Sequence, residues 1–568
     1  MTKFLRRSTK ELVNNPGSAV PHGMGSPSQR DHALDATRAF ALLLGVAFHA
    51  AWSFVPYPAG APVMNIGGGQ EYGWFFFTSH TFRMQLFFLI AGFFARLLYH
   101  RRGLAGFAKN RLTRIAIPLL IGWIVLYPLT IMWWIVGGNT SGRNLTVIPL
   151  RIFFMQIYGY GLAFVERKNG GMFSLTHLWF LYYLLLIYIL FIGAYLVIKR
   201  VVPNGVGLSE RADRMMARCI SSPWSVLPLS LATGVSLWPM DGWFGVDTPL
   251  NTIRPSIPVL IMYGTFFVIG WLLNRQPRVV ASFPHRWKWQ IPLGLAISVA
   301  LYSGYQRLYW ISVASSTLTS YPMLTASQIS DWPRFQTTLK SAESDGPAEL
   351  KQVWAAISPT TSRDVIRGMS NDASLEVRTG VCETMNQLIA QPRLFSGGDV
   401  GAGGSPIART RLENRRILER LFAGSLAHDP REISWFWPVK LVYSIAYGMV
   451  MWLFVFGTLS FFQDRCPAHS PTWRYVADSS YWIYLAHLPL VAALQVWVAT
   501  WPAPGVVKFT FVSLAASTLL LASYHYLVRS TLIGLVLNGQ RYPFVAWPFG
   551  IRHTHSNPSW RPNRSSPP

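Results

Sequence analysis

Apolar runs long enough to cross a bilayer recur along this chain, and they leave few folds open to it. A helix of about 20 apolar residues spans the hydrocarbon core of a membrane. Of all residues, 51% are hydrophobic and only 13% are charged. We place such runs at 33–55, 76–99, 111–136, 176–198, 223–240, 256–273, 290–313, 435–462, 474–499 and 505–528. The sequence therefore predicts an all-α, polytopic membrane protein, a bundle of about ten transmembrane helices.

The net charge of +26 is explained by where the positive residues lie. Loops 99–114, 199–218 and 274–288 are rich in Lys and Arg, whereas 56–75 contains neither. Positive residues beside apolar helices mark the cytoplasmic side. Ten spans with both termini in the cytoplasm put all these basic loops on that side of a bacterial-type inner membrane. The basic excess indicates topology, and we expect no nucleic-acid partner.

Segment 145–165 is apolar, but it contains Arg151 and Gln156. Counting it as an eleventh span would move the basic loop 199–218 to the outside. We therefore interpret it as an interfacial or re-entrant piece on the outer side.

The composition changes abruptly after the seventh span. Residues 331–433 hold 13 acidic and 13 basic residues, and helical spacing of apolar residues within them indicates a small helical insert or a partly disordered loop. By the topology above, this polar insert is extracytoplasmic, and we expect no catalytic residue in it. The expected organisation is a cytoplasmic N-terminal tail at 1–30, the first part of the membrane domain at 31–313, the insert at 314–433, the last three helices at 434–541 and a disordered cytoplasmic tail at 542–568.

The first span contains "LDATRAFALLLGVAFHA", in which Asp35, Arg38 and His49 are ionisable. Eleven residues are close to three helical turns, so Arg38 and His49 share a face and lie about 16 Å apart along the axis. Asp35 is placed to pair with Arg38. Ionisable residues inside membranes are functional candidates. A structural ion pair beside a histidine satisfied within the bundle is the alternative.

Another polar cluster occurs in "FRMQLFFLIAGFF", residues 82–94. We expect Arg83 and Gln85 at the outer side of the second span, and Gly92 allows a close helix approach. A snorkelling arginine with a packing glycine is the alternative interpretation.

Lys109, Arg111 and Arg114 lie at the cytoplasmic mouth of the third span. Ammonium and guanidinium groups bind phosphates well. The alternative is the ordinary positive charge of a cytoplasmic loop.

Two further histidines, His177 and His487, lie at or within spans among aromatic residues. Aromatic residues near helix ends are commonly interface anchors, but His487 lies deeper and is expected to face a polar interior. The three cysteines, Cys219, Cys382 and Cys466, show no metal or redox spacing, so we expect neither a metal site nor a bound cofactor.

Together, these segments resemble the acyltransferase-3 family of integral membrane acyltransferases. Four segments occur in that family's order: "LDATRAFALLLGVAFHA", "LFFLIAGFFARLLYHRRGLAGFAKNRLTRIAIP", "THLWFLYYLLL" and "SYWIYLAHLPLV". The ten residues between Arg38 and His49 match the family's hallmark. The ending "SYHYLVRSTLIGLVLNGQR" is most similar to the glucan biosynthesis protein C branch, which succinylates periplasmic glucans. The resemblance covers about 31–313 and 434–541.

The resemblance implies transfer of an acetyl or succinyl group from cytoplasmic acyl-CoA, a co-substrate, to a hydroxyl of a periplasmic or cell-surface glycan or a lipid-linked sugar. His49 and Arg38 fall on the family's essential pair, with His49 as general base and Arg38 holding the thioester or pantetheine or setting the field at the histidine. Five residues are expected to support them: Asp35, Arg83, Gln85, His177 and His487. Lys109, Arg111 and Arg114 are expected to bind acyl-CoA.

Two other functions remain open at this point. Ionisable groups within helices also serve proton or ion relays in transporters, although the sequence shows no pair of related halves. The second alternative function is that of a membrane sensor or scaffold that works through the insert. This function would leave the His and Arg motifs of the bundle without a role.

Overall fold

The computed structural model describes residues 32–140, 174–201, 211–320, 331–341, 347–348, 351, 420–422 and 435–543, with short gaps at 57–60, 64–67, 212–213, 243–245 and 277–278 and single gaps at 216, 219, 241, 249, 251, 281 and 540. These residues form helices and no strand, which confirms the all-α class. The N-terminal tail, segment 145–165 and most of the 314–433 insert lie outside the described residues.

The α-helices of the described residues match the predicted spans. Their bounds are α1 His32–Ala51, α2 Gln70–Arg111, α3 Ile117–Thr140, α4 Trp179–Val201, α5 Val226–Leu237, α6 Ile257–Leu273, α7 Trp287–Ser320, α8 Trp332–Ser341, α9 Phe436–Arg465, α10 Pro471–Val498, α11 Gly505–Ser523 and α12 Leu532–Asn538. All except the short α8 and α12 coincide with a predicted span.

Length and composition alone single out six helical stretches in the described residues that could cross a membrane: His32–Phe54, Gln70–Trp134, Thr176–Val201, Phe436–Arg465, Pro471–Val498 and Gly505–Val528. α5 and α6 are apolar but shorter. The stretch Gln70–Trp134 contains two of the predicted spans.

The prediction of a loop at 99–114, between those two spans, is wrong. Helix continues through this region and is interrupted at Gly103, whose φ of 65° and ψ of −175° are not helical. Glycine adopts such a φ without the steric cost that a Cβ imposes. The segment resembled a basic loop because of its many positive charges. A break at one residue, Gly103, is enough to reverse the chain without a loop.

Contacts with α4 show that the chain reverses at this break. Before it, Phe88 contacts Phe180 and Tyr99 contacts Tyr195, with ring centroids 4.9 and 5.6 Å apart. These partners follow one another in the same order as in α2. Residues 70–102 therefore run parallel to α4.

After the break the order is inverted. Phe107 contacts Tyr188 at 5.5 Å between centroids, and the Trp123 Nε1–H donates to the carbonyl oxygen of Ser174 at 3.1 Å. Residues 104–140 therefore run antiparallel to α4. The single helical stretch thus forms two antiparallel helical segments, which is the arrangement that the two predicted spans require.

The basic segments meet at one end of the bundle, which we call the basic end. Three contacts join them: Arg96 Nη1 donates to Asn274 Oδ1 at 2.8 Å, Arg286 Nη1 donates to the Ile220 carbonyl at 2.9 Å, and His285 Nδ1 lies 3.1 Å from Asp464 Oδ1. His32, at the start of α1, contacts His469 there, with ring centroids 5.1 Å apart. The basic loops are thus on one side.

The remaining connections gather at the opposite end. Gly69 N–H donates to the Phe54 carbonyl at 3.1 Å, Leu175 N–H to the Leu250 carbonyl at 2.7 Å, and Tyr302 Oη to Gln70 Oε1 at 2.8 Å. Successive long helices of the described residues therefore run between the two ends in alternate directions. This alternation is what a ten-span bundle requires.

The outer surface of the bundle suits lipid. Large apolar side chains point outward, such as Leu120, 62% exposed, and Ile189, 69% exposed. Exposed tryptophans lie near helix ends, with Trp224 before α5 and Trp435 before α9. Apolar flanks with terminal tryptophans are typical of helices embedded in a bilayer.

Ordered structure extends past two of the predicted domain boundaries. α7 continues to Ser320, past residue 313. At the other end, Tyr542 Oη donates to Asp478 Oδ2 on α10 at 2.9 Å, so the C-terminal segment is held beyond residue 541. In the described part of the insert, α8 is helical.

α2 and α6 cross at two glycines. A Cβ at Gly92 would lie 2.0 Å from the Phe267 carbonyl oxygen, and one at Gly270 would lie 1.9 Å from the Leu89 carbonyl oxygen. The two backbones are therefore in direct contact, as small residues permit between membrane helices. Gly92 has the packing role expected of it.

Gly92→Ala is expected to destabilise the protein by about 1–3 kcal/mol, because the added methyl group forces two backbones apart. The measurement is the midpoint of thermal unfolding in detergent. Gly193→Ala is the matched control, since a Cβ at Gly193 meets nothing within 4 Å. Equal midpoints for the two variants would contradict the crossing.

Candidate active site

α1 presents Arg38 and His49 to α10 at two different depths. Arg38 Nη2 donates to the Ala477 carbonyl at 2.6 Å and lies 3.8 Å from Asp35 Oδ1. The ring of His49 lies 5.0 Å from that of His487. Ala477 and His487 are ten residues apart on α10, or about 15 Å. The structure thus places both residues on one face but does not bring them together.

Three imidazoles from three elements meet inside the bundle. His487 on α10 lies between His49 on α1 and His177, with ring centroids 5.0 and 5.1 Å away. His177 belongs to the 3₁₀ turn Thr176–Leu178 before α4. His487 is 5% exposed and His177 is also buried. We call His49, His177 and His487 the imidazole cluster.

A proline in α10 explains how His177 is held. Pro489 has no N–H, so the carbonyl of Leu485, four residues earlier, loses its helical donor. His177 Nε2 lies 2.8 Å from that carbonyl oxygen. Because a carbonyl only accepts, Nε2 of His177 carries the proton. A polar group freed by a proline within a membrane helix is thereby satisfied.

The backbone also fixes the tautomer of His487. Its Nδ1 lies 2.7 Å from the carbonyl oxygen of Tyr484, so Nδ1 donates. In the neutral ring, Nε2 is then left as a proton acceptor. A neutral imidazole of this kind can serve as a general base.

The turn before α4 is conformationally strained. Thr176 has a φ of 48°, which β-branched residues rarely adopt. Tyr484 Oη donates to the His177 carbonyl at 2.6 Å and thus holds the turn against α10. The strained backbone and this hydrogen bond set the direction of the His177 ring.

His49 differs from the other two imidazoles in its partners. Its Nδ1 is buried and has no hydrogen-bond partner among the described residues. Its ring contacts Phe48, Trp52 and His487. Gln495 Nε2 donates to the His49 carbonyl at 2.7 Å and so fixes the end of α1 to α10. Backbone contacts hold His49, while its imidazole remains available for chemistry.

α2 adds a guanidinium and a fourth histidine. Arg83 Cζ lies 4.0 Å from the centroid of the Phe48 ring, and the ring of His80 lies 5.6 Å from the same ring. The position expected for Arg83, at the outer side of its span, is wrong because α2 already begins at Gln70. Arg83 therefore lies about 20 Å along the helix.

Gln85 points elsewhere. Its Nε2 lies 3.7 Å from the sulfur of Met451 on α9. Two residues along a helix turn a side chain by about 200°, so Gln85 and Arg83 face different neighbours. The structure does not bring Gln85 to the imidazole cluster.

Sequence reasoning missed His80 and Tyr484. Both lie within predicted spans, where a single histidine or tyrosine resembles an ordinary aromatic anchor. His80 precedes Arg83 by three residues and therefore shares its face. That spacing was the one signal that could have indicated His80.

The three basic residues of the third span lie toward the basic end. Lys109 is exposed, and Arg111 Cζ lies 4.6 Å from the centroid of the Tyr188 ring. Arg114 lies against Gly539, just after α12. Tyr188 is eleven residues from His177, or about 16 Å along α4. These cations are thus well separated from the imidazole cluster.

Tyrosines lie between the cations and the imidazole cluster. Tyr481 on α10 is within electrostatic range of Arg111 and Arg114. Tyr484, one turn further along α10, contacts His177, with ring centroids 5.6 Å apart. Polar aromatic groups therefore connect the basic end to the imidazoles.

No group of metal-ligating side chains within the described residues is arranged to hold a metal ion.

Comparison with known families identifies a family model that matches this chain. Residues 31–334, more than half of the chain, match the model of the acyltransferase-3 family, described as "Acyltransferase domain". The matched range contains α1 to α7 and therefore His49, Arg83 and His177. α10, which contributes His487, lies outside it.

Curated relatives point the same way. Glucans biosynthesis protein C of Escherichia coli O157:H7 is 27% identical over 265 residues, that of Escherichia coli K12 is 27% identical over 264, and that of Shigella dysenteriae serotype 1 is 28% identical over 264. Each alignment covers 45% of this chain and 61% of the relative. The chain thus spans about three fifths of the length of these relatives. Comparison with solved structures finds no match.

Proposed function

The chain belongs to the acyltransferase-3 family, and on this premise we propose that it is an acyl-CoA-dependent O-acyltransferase of glycans. The chain is an all-α, multi-pass membrane acyltransferase. The proposed donor is acyl-CoA, bound as a co-substrate. The proposed acceptor is a hydroxyl of a periplasmic or cell-surface glycan or of a lipid-linked sugar, and the acyl group is acetyl or succinyl.

The observation that carries this proposal is the imidazole cluster within the bundle. Ionisable groups at membrane depth are costly, and those that occur mark functional sites. Transfer of an acyl group to a hydroxyl needs a group that removes the hydroxyl proton, and imidazole does this near neutral pH. His49 and His487 supply two such rings 5.0 Å apart.

We assign His49 as the general base, supported by His487. The acceptor oxygen attacks the thioester carbonyl carbon while its proton passes to the His49 imidazole. The carbon–sulfur bond then breaks, and the proton is returned to the departing sulfur of CoA. The backbone-fixed ring of His487 orients the His49 ring, and His177 keeps His487 in place from the other side.

Arg38 has a different role in this proposal. Its contacts with Asp35 and with the Ala477 carbonyl lie about 16 Å along α1 from His49, too far for a shared thioester carbonyl. Arg38 therefore holds the pantetheine arm of the donor or keeps α1 and α10 in register. Lys109, Arg111 and Arg114, which lie toward the basic end, would bind the phosphates of CoA.

The basic end faces the cytoplasm in this proposal, as positive residues at helix ends favour. Both ends of the described chain, at residues 32 and 543, then lie on the cytoplasmic side of the inner membrane. Acyl-CoA enters from there, and the acceptor enters from the opposite end, where Leu175, just before the His177 turn, donates to the Leu250 carbonyl.

Membrane vesicles of defined orientation test the function and its direction together. Inverted vesicles with periplasmic glucan trapped inside are given acetyl-CoA or succinyl-CoA, and free CoA thiol is measured. We expect glucan-dependent release from inverted vesicles and not from right-side-out ones, because acyl-CoA does not cross a bilayer. Vesicles from cells lacking the protein are the control. An absence of release with both donors, or release from right-side-out vesicles only, would refute the proposal.

A further inference from the structure

Two tryptophans from different helices lie beside His49. Trp52 is in the 3₁₀ turn Trp52–Phe54 that follows α1, and the centroid of its ring lies 5.8 Å from that of His49. Trp134, on α3, contacts Trp52, with ring centroids 5.6 Å apart and an angle of 65° between the ring planes. We call Trp52 and Trp134 the tryptophan pair. The pair therefore forms an angled aromatic surface that begins at the proposed general base.

Access to the His49 ring is along this pair. His49, Trp52 and Trp134 are each partly exposed. By contrast, the rings of Phe48 and His487, which contact His49 on its other sides, are only 5% exposed. A molecule that reaches the His49 imidazole from outside the protein therefore approaches it along the tryptophan pair.

The pair lies at the end of the bundle from which the acceptor is proposed to enter. Two residues after Trp52, the Phe54 carbonyl accepts a hydrogen bond from Gly69 N–H at 3.1 Å, at the end opposite the basic end. α3 runs away from the basic end, and Trp134 lies near its last residue, Thr140. Both tryptophans are therefore on the acceptor side of His49.

A group of aromatic residues at the same end shows how interface anchors differ from this pair. Trp497, near the end of α10, is 57% exposed, and its ring contacts Trp501 and Phe511 with centroids 5.1 and 5.8 Å away. Such a group on the outer surface is typical of helices anchored in the membrane interface. The tryptophan pair instead contacts an ionisable group within the bundle.

Backbone contacts hold the two helix ends that present the pair. Gln495 Nε2 on α10 donates to the His49 and Ala50 carbonyls at 2.7 and 3.2 Å, and so holds the end of α1. A Cβ at Gly137 on α3 would lie 2.1 Å from the Pro62 carbonyl oxygen, so the end of α3 is in direct contact with the chain that follows α1. A surface held on both sides in this way is preorganised for a ligand.

We propose that the tryptophan pair is the acceptor subsite and binds one hexopyranose ring of the glycan, with the hydroxyl to be acylated directed at His49. The inference rests on the proposed function and locates its acceptor. A pyranose carries a patch of C–H groups on a face of its ring, and such a patch packs on the electron-rich face of an indole. The hydroxyl groups lie around the rim of the sugar and stay free to point at the imidazole.

The alkyl chain of a lipid alcohol is the other group that an aromatic surface accommodates. Two inclined ring faces fit a rigid ring better than a flexible chain, because the chain loses more conformational freedom on binding. The shape of the pair therefore favours a sugar.

The test measures the KM for the glucan and the KM for acyl-CoA in Trp134→Leu and Trp134→Phe. Trp134 is the position to vary, because Trp52 contacts His49 directly. Leucine removes the aromatic face and phenylalanine keeps one. We expect Trp134→Leu to raise the KM for the glucan by about 10-fold, and Trp134→Phe to raise it by less than about 3-fold. The KM for acyl-CoA should be unchanged in both variants.

Trp497→Leu is the matched control, because it removes a tryptophan at the same end but on the outer surface, and it should leave both KM values unchanged. A second measurement needs no variant: the unaltered protein should prefer methyl β-glucopyranoside to hexanol as acceptor by at least about 10-fold in kcat/KM.

An unchanged KM for the glucan in Trp134→Leu, an equal rise in both KM values, or a preference for hexanol would overturn the inference while leaving acyl transfer intact. If Trp134→Leu does not fold, the comparison of the two acceptors decides. An unaltered protein that releases no CoA with any of these acceptors would instead refute the proposed function and the inference with it.

Discussion

His49→Gln is expected to lower acyl transfer by about two to four orders of magnitude, the usual effect of losing a positioned acid–base group. Glutamine is similar in length to histidine but cannot accept the proton. The protein should remain folded for two reasons. The His49 imidazole Nδ1 makes no hydrogen bond within the described residues, and the hydrogen bond from the Gln495 side chain to the backbone carbonyl of residue 49 is retained.

Transfer rate and the amount of folded protein should be measured side by side. His469→Gln is a suitable control, since His469 is exposed at the basic end and should keep full activity. His49→Ala should be as inactive as His49→Gln. A stable and fully active His49→Gln protein would refute the assignment of His49 as the base.

The second large effect is expected for His487→Gln, with a loss of about 10²–10³-fold. This ring is 5.0 Å from His49, and its tautomer is set by the Tyr484 carbonyl, so its removal leaves His49 unsupported. Residues that act as one unit give losses that do not multiply. The His49→Gln, His487→Gln double variant should therefore be no more than a few-fold less active than His49→Gln alone.

The measurement is a double-mutant cycle on kcat, with the unfolding midpoint of each variant as a check on stability. Independent roles would make the two losses multiply in the double variant. Losses that multiply would show that His487 acts independently of His49, and an unchanged rate in His487→Gln would show that His487 only fills space within the bundle.

The helices were predictable because lipid offers no hydrogen-bond partner to a backbone that crosses the membrane, so its N–H and C=O groups must bond to one another. Long apolar runs therefore had to be helices. The reversal between the second and third spans was predicted, but its occurrence at the single residue Gly103 was not, because hydropathy and charge are the same for a loop and for a helix broken at one residue. The start of α2 at Gln70 was also missed, because Glu71 and Gly73 lower the hydropathy of its first turns.

The candidate site was predictable only in part. His49 and His487 could be singled out, because each is an ionisable group within an apolar run. Their contact could not, since more than 400 residues separate them and only the packing of α1 on α10 joins them. The Nη1 atom of Arg83, which has no hydrogen-bond partner among the described residues, has no sequence signature, because a missing partner is a property of three-dimensional surroundings.

The proline of α10 has a mechanical consequence. Without an N–H at Pro489, α10 lacks one link of its hydrogen-bond ladder at the depth of His487, and His177 occupies the vacated carbonyl of Leu485. α10 is thus expected to bend most easily at that level. The hydrogen bond from His177 to the Leu485 carbonyl couples displacements of the turn Thr176–Leu178 directly to α10. A displacement of that turn, which lies at the end opposite the basic end, is therefore expected to reach the imidazole cluster, whereas α2 is held against α6 by direct backbone contact.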